Sequence, residues 1–297
     1  MYGCIPKGWD VSNGFLSGLS WLPYTYFAKI RESDSTSITI DMRDYKIEKR
    51  FRLSLPPGDG GLSRQLRTFG FREPLNCQCY VKFVEKEDRI LDIGSNIGYF
   101  VLLGSNAKQI TCVEPLSNAI EMLKVNIEIN DLADKCAIVH AAVGPRGKLL
   151  IEVSPHLNLS KIVNKASPNT HEVDSVPLVD LVAKYQSNMV RLDVEGYEYE
   201  ILYKNIPESV NKLSVEFHSG LMGKEKSKRL LAYLEQEGFR LKYFIEDVPL
   251  RLYPFVYVFR STGMSGFMSY IQRDAQIGQV QEEIFSGRSL KYLYLER

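Results

Sequence analysis

The chain has 297 residues, 44% apolar and 25% charged, which suits one large globular unit or two smaller ones. Lys and Arg number 37 against 36 Asp and Glu, so it lacks the basic excess that a broad nucleic-acid face needs to neutralise phosphates. The five cysteines are scattered, and the C-x-C of Cys77 and Cys79 is not a zinc or thioredoxin spacing, which reads as reduced thiols in a cytoplasmic protein.

Residues 11–30 are aromatic and apolar but broken by Asn13, Gly14, Gly18 and Pro23. They are too polar for a spanning helix and lack a basic leader, so they read as an N-terminal arm. Ser37–Ile40 and Lys46–Leu53 alternate as a strand pair around Arg43 and Asp44. Pro56–Gly61 is a breaker, followed by a predicted helix over Leu62–Phe71. Glu73–Val84 is open between helix and strand. This arm and cap occupy 1–85, ahead of a nucleotide-type domain over 86–260 and a tail over 261–297.

Within the central domain the predicted order is strand Ile90–Ile93, helix Tyr99–Leu103, strand Ile110–Val113 and a helix marked by Leu116, Ile120, Leu123 and Ile127. Strands follow at Ala137–His140 and Lys148–Val153, and 154–172 reads as a loop over one end of the sheet. Helix Val179–Tyr185, strand Met189–Asp193, helix Glu198–Tyr203, strand Leu213–Phe217 and helix Lys224–Glu237 come next. Phe239–Ile245 and Tyr253–Phe259 read as an antiparallel closing pair, and Tyr270–Phe285 in the tail as a helix. This alternation predicts a Rossmann-like, doubly wound α/β fold, mostly parallel, with an antiparallel end strand and an N-terminal cap.

The sharpest signal is Gly94-Ser95-Asn96-Ile97-Gly98 after the first of these strands. A dinucleotide fingerprint is G-x-G-x-x-G, and its middle glycine makes room for a pyrophosphate. Here that glycine is missing, and Asp92 adds negative charge where a pyrophosphate would lie. An acid there suits a cationic amino group, and Glu114, about 20 residues on, suits a pair of ribose hydroxyls. S-adenosylmethionine (SAM) has both, so the loop fits SAM better than NAD. The cofactor candidates are Asp92, Gly94, Ser95, Asn96, Gly98, Glu114 and the small residues Ala141 and Ala142, which leave room for a flat ring.

Ligands of doubly wound sheets lie at the carboxyl ends of the strands. Asp193, Glu195 and Glu216 with His218 fall at two such ends. Asp193 is either a helix N-cap or a carboxylate facing an acceptor. His218 is either a loop-bonded histidine or a general base, with Glu216 as its buttress. Asp193, Glu195 and His218 could in principle hold a divalent metal, but no ligand spacing supports one strongly, and none is expected. An Asn-Pro-Pro-Tyr-like element for base amino groups and a Pro-Cys nucleophile for pyrimidines are both missing. With the neutral charge balance, a hydroxyl acceptor is favoured over nucleic acid.

Three segments, LDIGSNIGYF (91–100), VEPLSNAIEMLKVNIEIN (113–130) and VRLDVEGYEYEIL (190–202), resemble the FkbM family of SAM-dependent methyltransferases, as do 59–74 and 141–144. The resemblance spans about residues 50–260, with Arg191 where the family more often has lysine. It implies a class I methyltransferase fold and O-methylation of a sugar, glycolipid or small metabolite. It places SAM at Asp92, Gly94, Asn96, Gly98, Glu114 and Ala141–Ala142. It makes Asp193 and Glu195 active-site residues, joined by His218 as catalytic candidate. The alternatives are a SAM-binding module without turnover, a nucleic-acid methyltransferase and a reductase. Oligomeric state is open.

Overall fold

The computed structural model describes residues 22–29, 36–43, 47–56, 62–154, 160–249, 264–285 and 290–297. Its strands run, in chain order, β1 (Leu22–Lys29), β2 (Ser37–Asp41), β3 (Arg50–Ser54), β4 (Arg89–Ile93), β5 (Gln109–Glu114), β6 (Cys136–His140), β7 (Ala142–Val143) and β8 (Gly147–Glu152). They continue with β9 (Lys161–Val163), β10 (Thr170–Val176), β11 (Met189–Leu192), β12 (Lys212–Glu216), β13 (Arg240–Pro249), β14 (Met264–Ala275) and β15 (Leu290–Glu296). The helices are α1 (Leu62–Phe69), α2 (Pro74–Phe83), α3 (Tyr99–Leu103), α4 (Ser117–Glu128), α5 (Leu178–Tyr185), α6 (Glu198–Leu202), α7 (Ser219–Met222), α8 (Lys224–Gln236) and α9 (Gln281–Phe285).

Nine strands form one sheet in the order β1-β14-β13-β15-β12-β11-β4-β5-β6. β12, β11, β4, β5 and β6 pair in parallel, and the rest of the sheet is antiparallel. The parallel strands are apolar on both faces because helices cover both. Leu91, Val190, Leu192, Leu213 and Leu293 pack with α5, α6 and α8 on one face. Ile90, Met189, Cys112, Tyr292 and Tyr294 pack with α2, α3, α4 and the β2–β3 hairpin on the other. The expected α/β doubly wound architecture is thus present, with a larger antiparallel part than a single end strand.

The cap docks on the glycine loop through one side chain. Asn126 of α4 is fully buried and bridges Ile97 and Ser54, donating to Ile97 O at 2.8 Å and accepting from Ser54 N at 2.6 Å. A buried amide with its donors and acceptor used holds two elements in one register. α2 is a helix, although its pattern left it open between helix and strand. Eight of its ten residues, Pro74 through Tyr80 and Phe83, are buried, and a helix covered all round has no apolar stripe to read.

Two expectations are corrected. The tail segment from Tyr270 is not helical up to Ala275 but belongs to β14, because β13 pairs with it as far as Ala275 and β1 takes its other edge as far as Ile271. Only a 3₁₀ turn over Ile277–Val280 and the short α9 follow the helical reading. The stretch 154–172 is not all loop: β9 and the start of β10 lie in it and join β7 and β8 in a four-stranded sheet. The predicted strand Tyr253–Phe259 lies outside the described residues. Among those described, no helix is long and apolar enough to cross a membrane.

Candidate active site

The carboxyl ends of the parallel strands open into a cleft of about 1030 Å³, the open solvent at its mouth included. One half is lined by Gly94, Ser95, Asn96, Glu114, Ala141 and Ala142. Gly94 has φ +79, and a Cβ there would stand 2.0 Å from the carbonyl oxygen of Asp193. The loop therefore crosses the end of β11 too closely for any side chain. The N–H of Asn96 donates to Glu114 Oε2 at 2.9 Å and that of Leu116 to Oε1 at 3.0 Å. Each oxygen keeps a further lone pair, enough for two ribose hydroxyls. Burial pushes the Glu114 carboxyl up to about 7; the two backbone hydrogen bonds oppose this, and Asp92 and Asp193 add to it. Ala141, Ala142, Val143 and Leu116 give this half an apolar lining. A glycine cradle, a carboxylate with spare lone pairs and a small apolar lining fit an adenosyl ligand.

Two expected cofactor residues stand elsewhere. Asp92 does not line the cleft: it is fully buried, and its Oδ1 accepts from Arg191 Nη1 at 2.8 Å. Sheet register sets Arg191 directly opposite Asp92, a pairing that sequence spacing does not reveal. The group on the cleft wall is therefore Arg191, stacked 4.1 Å over Phe100 and donating also to Asp193 Oδ2 at 3.1 Å. Gly98 lies behind the loop at the start of α3, where a Cβ would stand 2.7 Å from Leu123 Cδ1. Its role is packing against α4.

Asp193, Glu195 and Glu216 line the other half, with Arg72 and Glu73 from the cap. Asp193 is not the N-cap of α6, a place taken by Tyr197. Glu195 at φ 49 and Gly196 at φ +100 make a left-handed turn packed on Leu221. That turn brings Glu195 Oε2 to 3.5 Å from His218 Nε2. Burial pushes Glu195 up to about 7, with His218 pulling it down and Asp193 and Glu198 adding to the rise. Burial, reinforced by Asp193, also drives Glu216 upward.

His218 sits beneath this half without lining it. Its Nδ1 lies 2.6 Å from Oε1 of the fully buried Glu198, and its Nε2 is 3.6 Å from Glu216 Oε1. Burial opposes a charge on the ring, but Glu198 and Glu216 hold its pKa well above the ordinary value. The two carboxylates favour the protonated ring, which weighs against the general-base expectation for His218. One ligand atom each of Asp193, Glu216 and His218 lie within 4.8 Å of one another.

The cap contributes residues that sequence reasoning did not single out. Arg72 is paired with Glu73, which also accepts from Asn76 Nδ2 at 2.9 Å. The signal was the end of the run at 59–74, whose last three residues are Arg72-Glu73-Pro74. Glu216, read as a buttress, is instead a cleft residue.

Residues 92–241 match the family model described as methyltransferase FkbM domain. The hexuronic acid methyltransferase AglP of Haloferax volcanii is 29% identical over 152 residues, which are 49% of this chain and 62% of that protein. The chain thus spans somewhat under two thirds of this curated relative. Among solved structures, a methyltransferase FkbM from Methylobacillus flagellatus is 14% identical, with a TM-score of 0.31 over 44% of this chain and 33% of that one. Methanocaldococcus jannaschii Trm5 in complex with adenosine is 15% identical, with a TM-score of 0.41 over 83% of this chain and 57% of that one.

Proposed function

The chain belongs to the methyltransferase FkbM domain family, and from that premise we propose that it is a SAM-dependent O-methyltransferase acting on a sugar hydroxyl. The observation that carries the reading is a single cleft with two chemically distinct halves, one suited to adenosine and one rich in carboxylates. The likeness to a hexuronic acid methyltransferase supports a saccharide acceptor.

In this reading Gly94, Ser95 and Asn96 hold the cofactor against the loop, Glu114 takes its ribose hydroxyls, and Ala141 and Ala142 flank its adenine. When bound, SAM supplies a methyl group on a sulfonium, whose sulfur keeps the C–S electron pair as the acceptor oxygen takes the methyl. The protein has then to align the acceptor hydroxyl and remove its proton. Glu195 is the general base. Of the three expected catalytic residues it alone lines the cleft without an arginine held against it. Asp193, fixed by Arg191, accepts a neighbouring hydroxyl and sets the angle of the sugar. His218 is a positioning residue that acts through Glu195 and Glu216.

The test is incubation with methyl-labelled SAM and a panel of neutral, amino and uronic sugars. Label on a sugar oxygen supports the reading. Binding of SAM with no transfer to any of them would sink it.

A second expectation concerns the cofactor alone. Glu114 accepts ribose hydroxyls best when ionised, and burial brings its ionisation to about 7. Affinity for S-adenosylhomocysteine should therefore strengthen as pH rises through that value and weaken below it, by at most about tenfold per pH unit. Calorimetric titrations on both sides of neutrality measure this. Glu114→Gln should bind more weakly at the higher pH and lose the dependence.

A further inference from the structure

Four carboxylates, Asp193, Glu195, Glu198 and Glu216, converge on His218 and the acceptor half of the cleft. The cations around them are already engaged. Arg191 holds Asp92 and Asp193, and Arg72 holds Glu73. His218 gives its Nδ1 side to Glu198. Its Nε2 faces Glu195 at 3.5 Å and Glu216 at 3.6 Å, both longer than the ~2.8 Å of a charge-assisted hydrogen bond. Glu216 is 9% exposed and lines the cleft, where His218 Nε2, 3.6 Å away, is its ion-pair partner only when the ring carries both protons.

We infer that Asp193, Glu216 and His218 Nε2 form a binding site for a divalent cation of the magnesium and manganese class. Their ligand atoms fall within 4.8 Å of one another. Atoms bound at ~2.1 Å to one ion lie ~3–4.2 Å apart, so small side-chain shifts close the set. The His218–Glu198 contact is the arrangement by which a buried carboxylate fixes the ring of a metal-ligating histidine and leaves the other nitrogen for the ion. Two carboxylates and no thiol suit a hard cation such as magnesium or manganese, and the imidazole favours the manganese end of that class. The three residues come from the end of β11, the end of β12 and the start of α7, so they meet only when the sheet is formed. That is why no ligand spacing shows in the chain.

The ion's role rests on the methyl-transfer reading, although its binding does not. At the acceptor end of the cleft it would take two neighbouring sugar oxygens into its open positions. It would make the reacting hydroxyl more acidic, so that the proton passes to Glu195 as the oxygen forms its bond to the methyl carbon.

Manganese is the probe. Electron paramagnetic resonance titration of the full chain should show one bound Mn²⁺ per chain, and its pulsed spectrum should carry a nitrogen coupling from an imidazole. Glu216→Gln should weaken Mn²⁺ binding at least tenfold, and His218→Gln should remove the nitrogen coupling. Both should keep their affinity for S-adenosylhomocysteine, which also reports that they are folded. Glu87→Gln, an exposed acid elsewhere, should change nothing. The inference is overturned if the unaltered chain binds no Mn²⁺ or binds it without nitrogen coupling, or if Glu216→Gln folds and binds it normally. Loss of S-adenosylhomocysteine binding in the unaltered chain, with Mn²⁺ still bound, would instead count against the cofactor reading.

Discussion

Glu195→Gln lowers the turnover of methyl transfer by about 10²–10⁴-fold, the usual contribution of a positioned general base. Glutamine keeps the shape of the side chain and its place in the turn at Gly196 but accepts no proton from a hydroxyl. The residue sits on the acceptor side of the cleft, away from the adenosine half at Glu114 and Ala141. Affinity for S-adenosylhomocysteine should therefore be unchanged, and the loss should fall on kcat rather than on cofactor binding. A rate near that of the unaltered enzyme, measured with labelled SAM on any accepted sugar, would remove Glu195 from the chemistry. Asp193→Asn is the companion measurement. It keeps an acceptor oxygen for a sugar hydroxyl but weakens the bond to Arg191, so it should raise KM for the sugar more than it lowers kcat.

Gly94→Ala abolishes cofactor binding and lowers the melting temperature. Two costs add. A non-glycine residue at φ +79 costs about 1–2 kcal/mol in the left-handed region. The new Cβ also falls 2.0 Å from a backbone oxygen of Asp193, and backbone cannot turn aside as a flexible side chain can. Either the loop lifts away from β11 or the β4–β11 pairing opens at its end. Gly238→Ala separates the two costs. Gly238, just past the end of α8, has φ +85 and nothing within 4 Å of its would-be Cβ, so it bears a backbone cost alone. Thermal unfolding should place Gly94→Ala well below Gly238→Ala, and only the former should lose S-adenosylhomocysteine binding. Equal melting temperatures would show that the loop has room that the structure does not give it.

The parts of this protein legible in its sequence are those set by neighbours along the chain. The alternation of β4, α3, β5 and α4 was readable because each is a short local pattern, and Glu114 because it ends one of them. The α/β class follows from that alternation. The setting of Asp92 was hidden for the opposite reason. Its partner is Arg191, 99 positions on, and only sheet register puts the two side by side. His218 looked like a base because a histidine at a strand end has an ordinary pKa near neutrality. Glu198, 20 positions earlier on a different helix, changes that. Tyr270–Ala275 was given as helix because its spacing allows one, and two flanking strands decide otherwise. In each case the chain's local preference was overruled by a partner far away in sequence.

The strand β15 lies between β12 and β13 and sets Tyr292 directly opposite Glu216. Its start, Leu290–Tyr292, lies about two hundred residues beyond the loop at Gly94, yet it reaches the same end of the sheet. The two halves of the cleft therefore assemble on different schedules. The adenosine half comes from adjacent strand–helix–strand turns, whose loops close cheaply and early. The carboxylate half includes Glu216, whose strand pairs with β15 across 76 positions, from Glu216 to Tyr292. On loop-closure grounds the nucleotide end is the part expected to order first, and the carboxylate end to follow once β15 has paired.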